Sequence, residues 1–210
     1  CAVVERHGGR VFADEIHGPL VYPGMRHVPY ASTSDTAAAH TLTATSASKG
    51  WNLPGLKCAQ VILTSEADRQ RWEEMGFFAA HGASNPGVAA NIAAYRHGEV
   101  WLDEVVGYLD ESRRLLAGLI GRHLPQVRYR PPDGTYLAWL DCTAMELPVT
   151  PGELINAAQV TVVDGPAFGD GGAGSFRLNF ATPQPILAEM VERVAAALNS
   201  AEAGGLSGPA

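Results

Sequence analysis

The stretch Thr41–Cys58, TLTATSASKGWNLPGLKC, sets Lys49 among small hydroxyl residues directly after a short β-branched run. Thr41-Leu42-Thr43-Ala44-Thr45 alternates as a strand does. Ser46-Ala47-Ser48-Lys49-Gly50 is too small and polar to extend it, so the chain is expected to turn at Lys49. A lysine amine serves chemistry as the counter-ion of a phosphate or, once deprotonated, as a nucleophile toward a carbonyl. Ser46 and Ser48 carry hydroxyls that can donate to a phosphate. Lys57, eight residues beyond Lys49, adds a second cation and would leave Lys49 for the carbonyl. Taken alone, the segment reads equally well as a surface turn with two solvated lysines.

Ser46-Ala47-Ser48-Lys49, followed by Lys57 inside Leu53-Pro54-Gly55-Leu56-Lys57, resembles a known signature. It is the Ser-x-Ser-Lys…Gly-x-Arg/Lys pattern of aspartate-aminotransferase-like, fold-type I enzymes that use pyridoxal phosphate (PLP). More narrowly, Asp14-Glu15-Ile16-His17, Ser48-Lys49-Gly50-Trp51-Asn52-Leu53 and Gly55-Leu56-Lys57-Cys58-Ala59 resemble the bacterial cystathionine β-lyase (cysteine C–S lyase) branch, and the likeness runs from Ala2 to about Leu198. The resemblance implies an α/β fold: the C-terminal part of a fold-type I subunit, with part of the large-domain mixed sheet and its helices followed by a small α+β domain. It implies that Lys49 carries PLP as a Schiff base and takes the substrate Cα proton, and that Asp14 pairs with the pyridinium nitrogen and keeps it protonated. It also implies that His17 hydrogen-bonds the ring hydroxyl, and that Ser46, Ser48 and Lys57 hold the phosphate.

The reaction implied is C–S β-lysis, in which cystathionine or a related cysteine conjugate yields a thiol, pyruvate and ammonia. An aminotransferase would use the same residues and is the alternative, and a non-catalytic truncated relative is the rival from another class. Lys57, where aminotransferases more often carry arginine, together with Trp51-Asn52-Leu53, favours the lyase. Family members are longer and complete their active sites across a homodimer. The chain opens at Cys1 rather than Met, with Cys1–Gly9 reading as the last turns of a helix closing on glycine. It is therefore expected to be a fragment, weak or inactive in isolation.

The composition sets outer bounds. In 210 residues, 46% are hydrophobic and 18% charged, as in a globular protein with a sizeable core. A net charge of −7 with scattered basic residues argues against a nucleic-acid partner. No apolar run approaches the length of a membrane span and no charged-then-apolar leader opens the chain, so a cytoplasmic location is expected. The three cysteines are far apart, and neither they nor the seven histidines fall at metal-ligand spacing, so neither a disulfide framework nor a metal site is expected.

Along the chain, Arg10–Asp14 reads as a short strand suited to a buried parallel sheet, with Asp14 to His17 at its carboxyl end, where open α/β sheets bind ligands. An Asp and Glu closing a strand at a polar loop is the plain alternative there. Gly18–Ser34 is a long loop, and Asp35 is expected to cap one helical turn. Residues 58–64 read as a strand, and Ser65 begins a capped helix over Glu66–Met75. A helix from Ser84 runs through Val88, Ile92 and Tyr95 to Gly98, followed by a long amphipathic helix ending before Pro125. The domain boundary is placed near Gly98, giving residues 1–98 as the cofactor-binding part, 99–199 as the smaller domain and 200–210 as a disordered tail.

In the smaller domain strands are expected at 127–130, 136–141, 160–163 and 175–180, with helices at 152–158 and 186–198. The last helix carries the stripe Ile186, Leu187, Met190, Val191, Val194 and Leu198, read as core. Phe168–Gly174 lacks both the following helix and the Lys-Ser/Thr of a phosphate loop and reads as a flexible hairpin loop. Arg177 lies inside the apolar strand Phe176–Phe180, and a guanidinium buried there requires an anion. An internal salt bridge would meet that need, while the resemblance implies that Arg177 binds the substrate α-carboxylate as a bidentate pair.

Overall fold

The computed structural model describes residues 1–205. It divides into two compact units, Cys1–Val106 and a second beginning at Gly107. The first holds helix α1 (Ala2–Arg6), strand β1 (Val11–Asp14), helix α2 (Asp35–Ala39), strand β2 (Thr41–Thr45), the single helical turn α3 (Ala47–Gly50), strand β3 (Gln60–Leu63), and helices α4 (Glu66–Met75) and α5 (Asn85–His97). Helix α6 (Glu99–His123) begins in the first unit and ends in the second. The second unit continues with strands β4 (Arg128–Tyr129) and β5 (Leu137–Asp141), helix α7 (Pro151–Ala157), strands β6 (Val163–Asp164) and β7 (Ser175–Asn179), and helix α8 (Gln184–Gly205).

The first sheet runs β1-β2-β3, with β1 parallel and β3 antiparallel to β2, so it is mixed as expected. The register pairs Asp14 with Ala44, which brings the carboxyl end of β1 beside the residues that lead into the Lys49 turn. Expected burial fails at β1: its one hydrogen-bonded strand neighbour among the described residues is β2, and Phe12 is 66% exposed. At α2 the cap is Ser34 rather than Asp35, because the Ser34 hydroxyl accepts the Ala37 N–H at 3.0 Å.

In the second unit β5 lies between β4 and β7, and β6 closes the other side of β7, all antiparallel. Period-two alternation puts Ala138, Leu140, Phe176 and Leu178 on the covered face. Leu116 and Leu119 of α6 and Leu187, Val191, Val194 and Leu198 of α8 are buried in the same unit. Ile186 does not join that stripe and stands 48% exposed, since it lies off the line that Leu187 starts. Helix α8 continues to Gly205, so residues 200–205 are helical rather than a tail; residues 206–210 lie outside the described residues. The Phe168–Gly174 loop does join β6 to β7 as a hairpin connection. It is folded into two 3₁₀ turns, Gly165–Phe168 and Asp170–Gly172, whose backbones meet so closely that a Cβ on Gly165 would lie 1.9 Å from the Gly172 carbonyl oxygen.

The division between the units falls eight residues beyond the boundary expected after residue 98. Packing explains the shift: Leu102, in the first turn of α6, reaches the space beside Gly50, so the start of that helix belongs with the first unit. Among the described residues no helix is long and apolar enough to cross a membrane.

Helix α4 is tied to the strand layer by one buried carboxylate. Asp68 accepts from the Ser65 hydroxyl at 2.6 Å and from the Arg10 guanidinium at 2.5 Å, while the Ser65 hydroxyl caps the Asp68 N–H. The Ser65 hydrogen bond, followed by the Arg10 contact and charge, holds the Asp68 carboxyl below its ordinary 3.8 despite the opposing effect of burial. A depressed folded-state pKa stabilises above the unfolded value and is lost as the pH falls through the folded one. Asp68→Asn should therefore lower the melting temperature at pH 7, with the gap to the parent closing as the pH drops below 3.8. Ser65→Ala should cost about 1 kcal/mol in urea unfolding through loss of the cap.

Candidate active site

Strand β2 delivers the chain into α3, where Ser46 acts as the cap. Its hydroxyl accepts the Ser48 N–H at 3.0 Å and donates to the Cys58 carbonyl at 2.6 Å. One side chain thus closes the turn and clips it to the segment eleven residues on from Ala47. Ser46 is 1% exposed and its proton is committed, so in this arrangement it shapes the turn instead of donating outward. Ser48 and Lys49 are partly buried, and Lys49 sits in the last turn of α3.

Beyond Lys49, Asn52 and Lys57 both adopt positive φ, 55° and 53°. Left-handed backbone is tolerated by Asn but costs a lysine, and such residues persist only where their surroundings over-determine them. Here the surroundings are α5. The Lys57 carbonyl accepts the Ser84 N–H at 3.0 Å, and the Ser84 hydroxyl donates to the Leu56 carbonyl. At the other end of α5, Trp51 donates its indole N–H to the Gly98 carbonyl at 2.9 Å and meets Tyr95 edge-on at 5.0 Å. Gly98 is required there, since a Cβ would lie 2.3 Å from the Trp51 ring nitrogen.

This folding brings Ser46, Ser48, Lys49 and Lys57 around one open cleft of about 570 Å³, with Ile16 and Trp72 also on its walls. Among the described residues neither lysine amine has a hydrogen-bond or ion-pair partner, and no hydrogen bond occupies the Ser48 hydroxyl. Two cations and a hydroxyl facing one concavity suit an anion together with a carbonyl, and less well the two solvated lysines of a plain surface turn. Asp14 stands at the end of β1, exposed, with its Oδ1 accepting the Ile16 N–H at 3.2 Å. His17 lies in the turn that follows, and Glu15, directly after Asp14, accepts from the Tyr30 N–H at 2.8 Å and pairs with His27 at 3.1 Å. Asp14 and His17 are not among the residues bounding the cleft, although Ile16 between them is.

In the second unit Arg177 is partly buried on β7, opposite Trp139. Its guanidinium carbon lies 4.7 Å from the centre of the Phe168 ring, and Phe168 in turn meets Trp139 edge-on at 5.5 Å. No carboxylate pairs with Arg177 among the described residues, so the internal salt bridge weighed from the sequence is not formed there. Burial pushes the Tyr136 phenol up, and the Arg177 charge opposes that shift.

Sequence reasoning missed Asn91, Ser84 and Phe168. It traced α5 through Val88, Ile92 and Tyr95, yet these are 41%, 47% and 48% exposed, while Gly87, Asn91 and Ala94 are buried. The small residues flanking Asn91 were the available signal: they let another backbone approach, and a polar side chain between them can reach it.

Residues 1–198 match the family aminotransferase class I and II. A Mycobacterium tuberculosis protein named as a candidate cystathionine β-lyase is 42% identical, over 92% of this chain and 51% of its own length. The cystathionine β-lyase of Corynebacterium glutamicum is 36% identical, over 93% of this chain and 52% of its own. A solved Corynebacterium diphtheriae structure, described as a candidate PLP-dependent β-cystathionase, superposes with a TM-score of 0.88 at 40% identity, covering 95% of this chain and 53% of that one. The chain spans about half the length of the curated relatives it matches.

The packing of α5 on the lysine segment makes Gly87 a sensitive position, because a Cβ there would sit 2.3 Å from the Leu56 carbonyl oxygen and 2.8 Å from the Cys58 Cβ. Gly87→Ala should destabilise the protein by about 1–3 kcal/mol through overpacking. Urea unfolding monitored by circular dichroism checks it.

Proposed function

Since the chain belongs to the class I and II aminotransferase family, we propose that it carries the lysine-bearing part of a PLP-dependent C–S β-lyase acting on cystathionine or a related cysteine thioether. The observation that carries the reading is the cleft lined by Lys49, Lys57 and Ser48, whose side-chain amines and hydroxyl have no partner among the described residues. The names of the relatives support a lyase over an aminotransferase.

These residues fit the cofactor by the chemistry of their donors. When bound, PLP supplies the electron sink that makes the substrate Cα–H acidic and lets the Cβ–S bond break. Lys49 Nζ would hold the cofactor at its carbonyl carbon and would carry the proton released from the substrate Cα. Lys57 and the Ser48 hydroxyl would bind the phosphate, while Ser46 lines the same cleft and keeps the turn closed. Asp14 would pair with the ring nitrogen, its negative charge favouring the protonated form, and His17 would hydrogen-bond the ring hydroxyl. Arg177 binds the α-carboxylate, oriented by the Phe168 ring beneath it. An amino-acid substrate, a homodimeric whole protein and a cytoplasmic setting are proposed with it, on the strength of the family membership.

Incubation with PLP, borohydride reduction and peptide mass spectrometry should place the dominant pyridoxyl adduct on Lys49. Adducts spread evenly over Lys49, Lys57 and the amino terminus would mean that the chain holds no formed site. In turnover assays cystathionine should release pyruvate without any keto-acid acceptor, whereas pyruvate that requires an acceptor would identify an aminotransferase. Arg177→Ala should raise KM for the amino acid by about tenfold or more, with a smaller effect on kcat, in keeping with loss of a charge-assisted pair.

A further inference from the structure

We propose that Asn91 is the positioning residue for the Lys49 turn, setting where the lysine amine stands without touching it. Asn91 is 4% exposed on α5. Its carbonyl oxygen accepts the Ala47 N–H at 2.9 Å and the Gln60 amide at 3.1 Å, and its own amide donates to the Gly87 carbonyl at 2.9 Å. Ala47 opens α3 and is fully buried, so its N–H is a helix-terminal donor that water cannot reach. Asn91 is the partner it has. The same side chain holds β3 through Gln60 and its own helix through Gly87, so it locks β3 and α5 to the residue two positions before Lys49.

The helix face extends the argument. Ser84, Gly87 and Asn91 are spaced by three and four residues and therefore lie on one side of α5. Ser84 grips Leu56 and Lys57, Gly87 admits the Leu56–Cys58 backbone at close range, and Asn91 grips Ala47. One helix face thus measures the separation between the two lysines. The Ser46 hydroxyl does not substitute for Asn91, since it already serves Ser48 and Cys58.

The positioning role rests on the reading of Lys49 given above, and the test separates the two. The full chain and its Asn91→Ala variant are compared by amide hydrogen exchange over Ala47–Gly50 and by the ratio of pyridoxyl adducts on Lys49 and Lys57 after borohydride reduction. Leu187→Ala, in the second unit, serves as a variant destabilised elsewhere. Loss of a buried hydrogen bond should speed exchange in the turn by about tenfold and lower the Lys49:Lys57 ratio by a similar factor, with Leu187→Ala leaving the ratio unchanged. Unchanged exchange in the turn, or an equal fall in the ratio for Leu187→Ala, overturns the role. Faster exchange in the turn of a protein whose parent shows no preference for Lys49 supports the positioning role and overturns the cofactor assignment instead.

Discussion

A single buried hydrogen bond, from the Ala47 N–H to the Asn91 carboxamide, joins the sheet-to-helix turn of this protein to the helix that braces it. Leaving a buried amide unpaired costs about 1–3 kcal/mol, a large share of the stability margin of any domain. A four-residue helix cannot hold itself together in water, so the turn that carries Lys49 exists only because its ends are tied. The Ser46 hydroxyl ties it to Cys58, Asn91 ties it to α5, and the Trp51 indole ties the following residues to the end of that helix.

Those ties give the chemistry its geometry. Lys57 is held in left-handed backbone, a conformation a lysine would leave if it were free, by a carbonyl that Ser84 captures. The two lysines line one cleft, and among the described residues no carboxylate pairs with them. Like charges gathered on one cleft are a poor way to stabilise a fold and a good way to receive an anion. The second unit repeats the logic at smaller scale. Arg177 is supported from below by an aromatic ring, not by a carboxylate, so its planar donor edge is oriented yet remains unspent.

The glycines follow from the same economy of space. Gly87 and Gly98 are small because Leu56 and Trp51 press against them, and Gly165 and Gly172 because two backbones touch. In each case the missing side chain is occupied by something that matters to a neighbouring segment. A loop read from composition as flexible turns out to be a packed pair of 3₁₀ turns that carries Phe168 to Arg177.

Much was determined by the sequence itself. Strand alternation, the Ser65 cap, the stripe on α8 from Leu187 onward and the small hydroxyl residues around Lys49 are local signals, and each is found where local physics places it. The resemblance carried by Ser46–Lys49 and Lys57 likewise led to the family that residues 1–198 match. Tertiary structure decided what depends on which atoms meet across the chain. It set Val88, Ile92 and Tyr95 on the exposed side of α5 and Asn91 on the buried side, because hydrophobicity along a helix does not say which face a backbone will approach. It also exposed Phe12, kept the start of α6 with the first unit, and set Phe168 against Arg177. A hydrogen bond spanning 44 residues, such as the one between Ala47 and Asn91, leaves no periodic trace in the sequence, and only the folded chain brings its two ends together.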